Sequence, residues 1–306
     1  MEHHPTNHAV NDLFANSDPD TVWRKAVDLI NRINPTFNFT IARTVFDDVM
    51  RLFHGQYPGY TRIKTPYHNL PHTLDVFLCA VRLMHGMQLA NAKLTDREIT
   101  LVIIATLLHD IGYAQVIDGN ETGTGAQYTP THVKRGIEFM RHYATEQRLP
   151  ANYIAALAPM ISCSDPRLSI SRIRFPSKRA RLLGQIVGTA DLVGQMADRN
   201  YLEKLVALYQ EFEEARMGNY TSVHDMMRKT TNFYEKIQHK LDDNFGGLYH
   251  KLSFHFSNTL GTEHNYYLES IRKNMDYLSK ITAMSEPEYL SQLRRGGIVN
   301  QFQQST

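Results

Sequence analysis

Residues 99–108 read ITLVIIATLL, an apolar run broken only by two threonines, and it ends directly in His109 and Asp110. A segment this apolar on every side, yet shorter than the roughly 18 residues a membrane span requires, is stable only when other elements of the same chain surround it. Thr95 and Glu98 stand three apart just before it, the pattern of a capping box, which makes the run a helix. An ionisable pair is therefore delivered to the end of a buried helix. Burying such groups without partners costs several kcal/mol, so the fold has to supply hydrogen bonds or a cation.

The rest of the chain carries the same helical signature. DPDTVWRKAVDLINRINP is an amphipathic segment with a cap residue before it and Pro35 after it, and IARTVFDDVMRLFHG closes on Gly55. HNLPHTLDVFLCAVRLMHGMQL forms a long helix with Pro71 near its start, where a missing N–H is harmless; a start before His68 would put a kink there. Further helices are expected over THVKRGIEFMRHYATEQR, PANYIAALAPMISCS, KRARLLGQIVGTADLVGQMA, RNYLEKLVALYQEFEEARM, VHDMMRKTTNFYEKIQHKLDD and HNYYLESIRKNMDYLSKI, with a flexible loop at 118–130. No run alternates with period two, so the expected class is all-α: one domain of about ten helices. Its expected limits are residues 21–285, after an irregular segment 1–20 and before a polar tail 286–306.

Bulk chemistry narrows the function classes. The 306 residues carry a net charge of +2, which gives no electrostatic reason to expect nucleic acid or an anionic membrane as partner. Cys79 and Cys163 are the two cysteines, too few for a disulfide framework, and the N-terminus lacks the apolar core of a secretory signal. A cytoplasmic protein is expected. The apolar content of the C-terminal helices is compatible with a homodimer.

Metal-ligand residue types recur at three further places. His68, His72 and Asp75 lie in YHNLPHTLDV at spacings that share one helix face, or straddle a helix end; His132 opens THVKRG; and Asp191 interrupts the small, apolar IVGTADLVG. Imidazole and carboxylate together suit Mn, Fe or Zn, or Mg with water. The order His72, His109–Asp110, Asp191 resembles the HD superfamily of metal-dependent phosphohydrolases. Within it, YHNLPHTLDV looks like the YHNxxHxxDV signature of class I cyclic nucleotide phosphodiesterases, and TADL looks like that family's segment around its last metal-binding aspartate.

That resemblance implies hydrolysis of a 3′,5′-cyclic nucleotide, cAMP or cGMP, to the 5′-monophosphate by a metal-activated hydroxide at a centre of two divalent ions. His72, His109, Asp110 and Asp191 would hold the first ion and Asp110 would bridge to the second. His68 would be the general acid that protonates the leaving O3′. His132 and Asp165 would contact the second ion or the substrate, and Asn69 and Asp75 would support the ligands through hydrogen bonds. The chain departs from the phosphodiesterase pattern where HDIGYAQV lacks the further histidine that follows the family's HD, and the purine-binding glutamine has no clear counterpart, Gln238 lying in the right region in the wrong context. Three alternatives stay open: an HD nucleotidase acting on other nucleotides, a non-catalytic nucleotide-sensing HD module, and an HD-type di-iron oxygenase.

Overall fold

The computed structural model describes Leu13 and residues 18–117, 119, 122–297 and 299. The expected irregular segment 1–20 and the end of the tail therefore lie largely outside the described residues. Twelve α-helices are present among those residues: α1 Pro19–Ile33, α2 Thr40–His54, α3 Leu70–Leu89, α4 Asp96–Leu108, α5 His132–Glu146, α6 Ala151–Ile161, α7 Lys178–Ala197, α8 Tyr201–Glu214, α9 Val223–His239, α10 Leu252–Leu260, α11 Tyr266–Thr282 and α12 Glu286–Gln292. The extended pairing seen among them is one isolated bridge between Tyr60 and Val116, so the class is all-α.

The apolar run behaves as its composition requires. Thr95 and Glu98 form the reciprocal capping box, and every residue of α4 from Glu98 to Leu108 is buried. Helices α2, α3, α6 and α7 pack around it. Arg179, from the first turn of α7, clamps Glu98 through two hydrogen bonds of 2.6 and 2.7 Å, tying the start of α4 to the start of α7. Pro71 sits in the first turn of α3 and Asn69 caps it, so the helix begins after His68. His68 and His72 consequently straddle a helix end.

Helices α3, α4 and α7 form the central trio, and each brings one piece of the site. His72 lies in the first turn of α3, His109 and Asp110 follow the last turn of α4, and Asp191 lies within α7. Two elements exceed the sequence expectation. LSFHFSNTL forms α10, a short helix that buries Leu252, His255 and Phe256. In the segment expected as a polar tail, 286–292 is helical, and Tyr289 and Leu293 are buried because the Tyr289 ring stacks on His224.

Candidate metal centre

The centre is assembled by local backbone devices. Asn69 accepts the His72 N–H on Oδ1 at 3.2 Å and donates from Nδ2 to the Pro66 carbonyl at 2.7 Å, so it fixes both the helix start and the approach of the preceding loop. At the end of α4, the chain turns through a short 3-10 helix, Ile111–Tyr113. Gly112 is required there, since a Cβ would stand 1.8 Å from the His132 carbonyl oxygen. Arg135 then donates to the carbonyls of Gly112 and Ala114 at 2.8 and 2.7 Å, holding this turn against α5.

Four donor atoms converge in the interior. His72 Nε2 lies 3.2 Å from Asp110 Oδ2, 3.5 Å from Asp191 Oδ1 and 3.4 Å from His109 Nε2. His109 Nε2 lies 3.1 Å from Asp110 Oδ2 and 3.8 Å from Asp191 Oδ1. Bonds of about 2.0–2.2 Å to one ion, at tetrahedral or octahedral angles, place neighbouring donors about 3.0–3.5 Å apart. His72, His109 and Asp110 are therefore spaced for one divalent ion, and Asp191 Oδ1 stands beside them, within 3.8 Å of both imidazoles. Asp110 Oδ2 is buried and takes no well-aligned hydrogen bond among the described residues, although the two Nε2 atoms stand 3.1 and 3.2 Å away, an arrangement that a cation held by all three would complete. Two imidazoles and two carboxylates suit Zn, Mn or Fe more than a cage for Ca.

Two of the imidazoles are held from their far side. His109 Nδ1 donates to the Thr106 carbonyl at 2.7 Å, which turns Nε2 toward the carboxylates. His132 uses the same device, Nδ1 to the Thr129 carbonyl at 2.7 Å, and its Nε2 faces Asp110 Oδ1 at 3.6 Å. Asp110 thus presents one oxygen to His72 and His109 and the other to His132. Burial alone pushes the Asp110 carboxyl upward, but His109 and His68 beside it outweigh that and hold it well below the carboxylate range. Burial lowers His72 and His132. For His109 burial works in the same direction, yet Asp110 and Asp191 overcome it and raise the imidazole to about 9.

His68 is held by a residue the sequence did not single out. Glu211 of α8, fully buried, accepts the N–H groups of Tyr67 and His68 on Oε1 at 2.7 and 3.0 Å and His68 Nδ1 on Oε2 at 2.5 Å. Burial disfavours a charge on His68, but Glu211 and then Asp110 outweigh it and raise its pKa to about 9. A signal for Glu211 existed: in YLEKLVALYQEFEE it shares a helical face with Ala207 and Leu208, four and three residues earlier.

The remaining expected residues are placed differently. Asp165 is buried, and both its oxygens accept hydrogen bonds from Arg167 at 2.9 Å. Burial raises its carboxyl, while the Arg167 guanidinium more than offsets this and lowers it. Asp75 lies 3.9 Å from Lys204, which also pairs with Asp198. Gln238 donates to Tyr249 Oη at 3.0 Å. Above the cluster opens a cleft of about 200 Å³, with His68, Asp110, His132 and Asp191 at its floor and Leu205, Phe212, Tyr220 and Phe233 on its walls. Arg167 and Lys229 also line it, so an apolar slot with cationic edges leads to the carboxylates.

Comparison with known proteins adds two findings. Residues 114–249 match a family model described as Npun_R2479-like. A dual specificity calcium/calmodulin-dependent 3′,5′-cyclic nucleotide phosphodiesterase 1 of Drosophila melanogaster is 26% identical over 193 residues, covering 60% of this chain. The matched region is 20% of that relative's length. No described helix is long and apolar enough to cross a membrane.

Proposed function

We propose that this chain is a metal-dependent phosphohydrolase that opens a 3′,5′-cyclic nucleotide to its 5′-monophosphate. The observation that carries the reading is the convergence of His72, His109 and Asp110, with donor separations of 3.1–3.4 Å, and of Asp191 within 3.8 Å of both imidazoles, at the floor of a cleft that also contains His68. The similarity to a cyclic nucleotide phosphodiesterase supports it.

His72, His109, Asp110 and Asp191 would hold one divalent ion, and Asp110 Oδ1 with His132 would face a second. Bound there, divalent ions supply a lowered water pKa and neutralise charge that develops on the phosphate. The chain's own residues do the rest. Glu211 keeps His68 protonated near neutral pH with Nδ1 occupied, which leaves Nε2–H to donate to the leaving O3′ as its bond to phosphorus breaks. The apolar walls from α8 and α9 give the base a flat surface and exclude water from it. Arg167, aligned by Asp165, adds positive charge at the cleft for an anionic substrate.

Product analysis tests this directly. Purified protein with Mn²⁺ is incubated with cAMP, cGMP and a panel of mononucleotides. Conversion of a cyclic nucleotide to the 5′-monophosphate is expected. Phosphate released from mononucleotides, with cyclic nucleotides untouched, would replace the proposal with the nucleotidase reading, which the approach of His132 from a separate helix favours.

A further inference from the structure

One ring touches both imidazoles that face the proposed cleavage site from outside the four-residue cluster. Tyr113 is fully buried, and its ring stacks on His68 with centroids 4.8 Å apart and planes 20° apart, and on His132 at 4.7 Å and 13°. His68 and His132 are 5.9 Å from each other. The three separations make a compact triangle, so the two imidazoles are neighbours over Tyr113 and do not lie on opposite sides of it.

Each imidazole has one hydrogen bond at Nδ1, to Glu211 for His68 and to the Thr129 carbonyl for His132. A single hydrogen bond pins one atom and leaves the ring free to swing about that contact. A flat partner removes the swing, because tilting the imidazole loses the stacked contact. The Tyr113 hydroxyl has only a long contact, 3.5 Å to Thr129 Oγ1, so the ring is the restrained and restraining part. Its own position is fixed by the clamp of Arg135 on Gly112 and Ala114. We propose that Tyr113 is a positioning residue that sets the ring planes of His68 and His132 together, aligning the acid and the imidazole that faces Asp110; this rests on the phosphohydrolase reading above.

The test compares Tyr113→Phe with Tyr113→Leu in the full chain loaded with Mn²⁺, using cAMP and cGMP as substrates. A loss of alignment by a fraction of an ångström to one ångström reduces turnover by up to about a hundredfold. The expected result is kcat down about tenfold to a hundredfold in Tyr113→Leu with KM changed less than about threefold, and Tyr113→Phe restored to within about threefold of the parent. The Mn²⁺ equivalent held by His72, His109, Asp110 and Asp191 and the circular dichroism stay at parental values. In parallel, NMR of histidine-labelled protein should show the ring protons of His68 and His132 losing their ring-current displacement in Tyr113→Leu and keeping it in Tyr113→Phe. A leucine variant with parental kcat, equal losses in both variants, or unmoved imidazole resonances would each overturn the proposal. If Tyr113→Leu does not fold, Tyr113→Met, of similar bulk without a plane, takes its place; a fold that tolerates only aromatic residues reassigns Tyr113 to packing. A parent protein without turnover on either cyclic nucleotide defeats the activity reading, and the NMR comparison then decides Tyr113 alone.

Discussion

Glu211→Gln isolates the charge that the structure places behind His68. Oε1 of Glu211 accepts two backbone N–H groups, at 2.7 and 3.0 Å, and those donors require an oxygen. In a glutamine the amide nitrogen must therefore take the place of Oε2, facing His68 Nδ1. That nitrogen can only donate, so Nδ1 must be unprotonated and the imidazole neutral. Parental His68 titrates at about 9, because Glu211 outweighs the burial that opposes its charge. Without the carboxylate, and with bound Mn²⁺ cancelling the pull of Asp110 and Asp191, burial carries the group to its ordinary value of about 6.5 or lower. At pH 8 the protonated fraction then falls from about nine-tenths to about three-hundredths, a loss in kcat of about thirtyfold or more if His68 is the acid. The sign follows from the role: a general acid works while protonated, so turnover falls as pH rises through its pKa, and the variant's fall moves to lower pH. The assay is kcat against pH over about 6 to 9.5 with saturating cyclic nucleotide and Mn²⁺, alongside bound metal. A variant with parental kcat at pH 8 and an unmoved alkaline limb would refute the assignment of His68.

The other expected outcomes are as direct. His109→Ala removes one of the donors that stand with Asp110 Oδ2 around the ion position, so it should abolish tight Mn²⁺ binding in equilibrium dialysis, and chelation of the parent should lower its Tm. His132→Ala should reduce bound Mn²⁺ from two equivalents to one while the four-residue site stays filled; two equivalents in the variant would remove His132 from the second position. Gly112→Ala drives a Cβ to 1.8 Å from the His132 carbonyl and should lower stability by about 1–3 kcal/mol in urea melts. His255, buried against His85 with Nδ1 atoms 3.1 Å apart, has its pKa lowered to about 2 by burial and nearby Arg82. Its folded value lies below its unfolded one, so stability is full above about pH 6.5 and declines by up to about 1.4 kcal/mol per unit as pH falls below it. The double variant His85→Leu/His255→Leu should flatten that slope, as read from Tm between about pH 7 and 5.

Much of this arrangement was legible because burial leaves few choices. A helix as apolar as 99–108 must be central, and the His109–Asp110 pair at its end must then be inside. Asp191 stood out for the same reason, a carboxylate among small and apolar residues. Pro71 pointed to a start of α3 near His68, and the Asn69 cap seen in the structure decides that His68 and His72 do not share the helix. Glu211 was hidden because its segment carries Glu213 and Glu214 as well, and charge alone does not reveal which glutamate turns inward. Long-range pairing was equally illegible: Glu211 meets His68 from 143 residues away. Asp165 entered through the family resemblance, and its pairing with Arg167 two residues later, which bonds both its oxygens, is a contact the resemblance did not include.

The partner at Nδ1 separates the histidines of the site into two kinds. His109 and His132 each donate Nδ1–H to a backbone carbonyl, a neutral partner that fixes the tautomer and leaves an Nε2 lone pair for a cation. His68 donates to a carboxylate, which favours the imidazolium and leaves an Nε2–H. His109 and His68 are both raised to about 9, yet for different reasons. His109 is raised by Asp110 and Asp191, and a cation between those carboxylates cancels their pull. His68 is raised first by Glu211, which stands on the far side of its ring from the cluster and keeps its effect when the cluster is filled. Loading with a divalent ion should therefore expel a proton from His109 while His68 retains its own, so one small cluster holds a metal-ligating imidazole and a proton-donating one 41 positions apart in the chain.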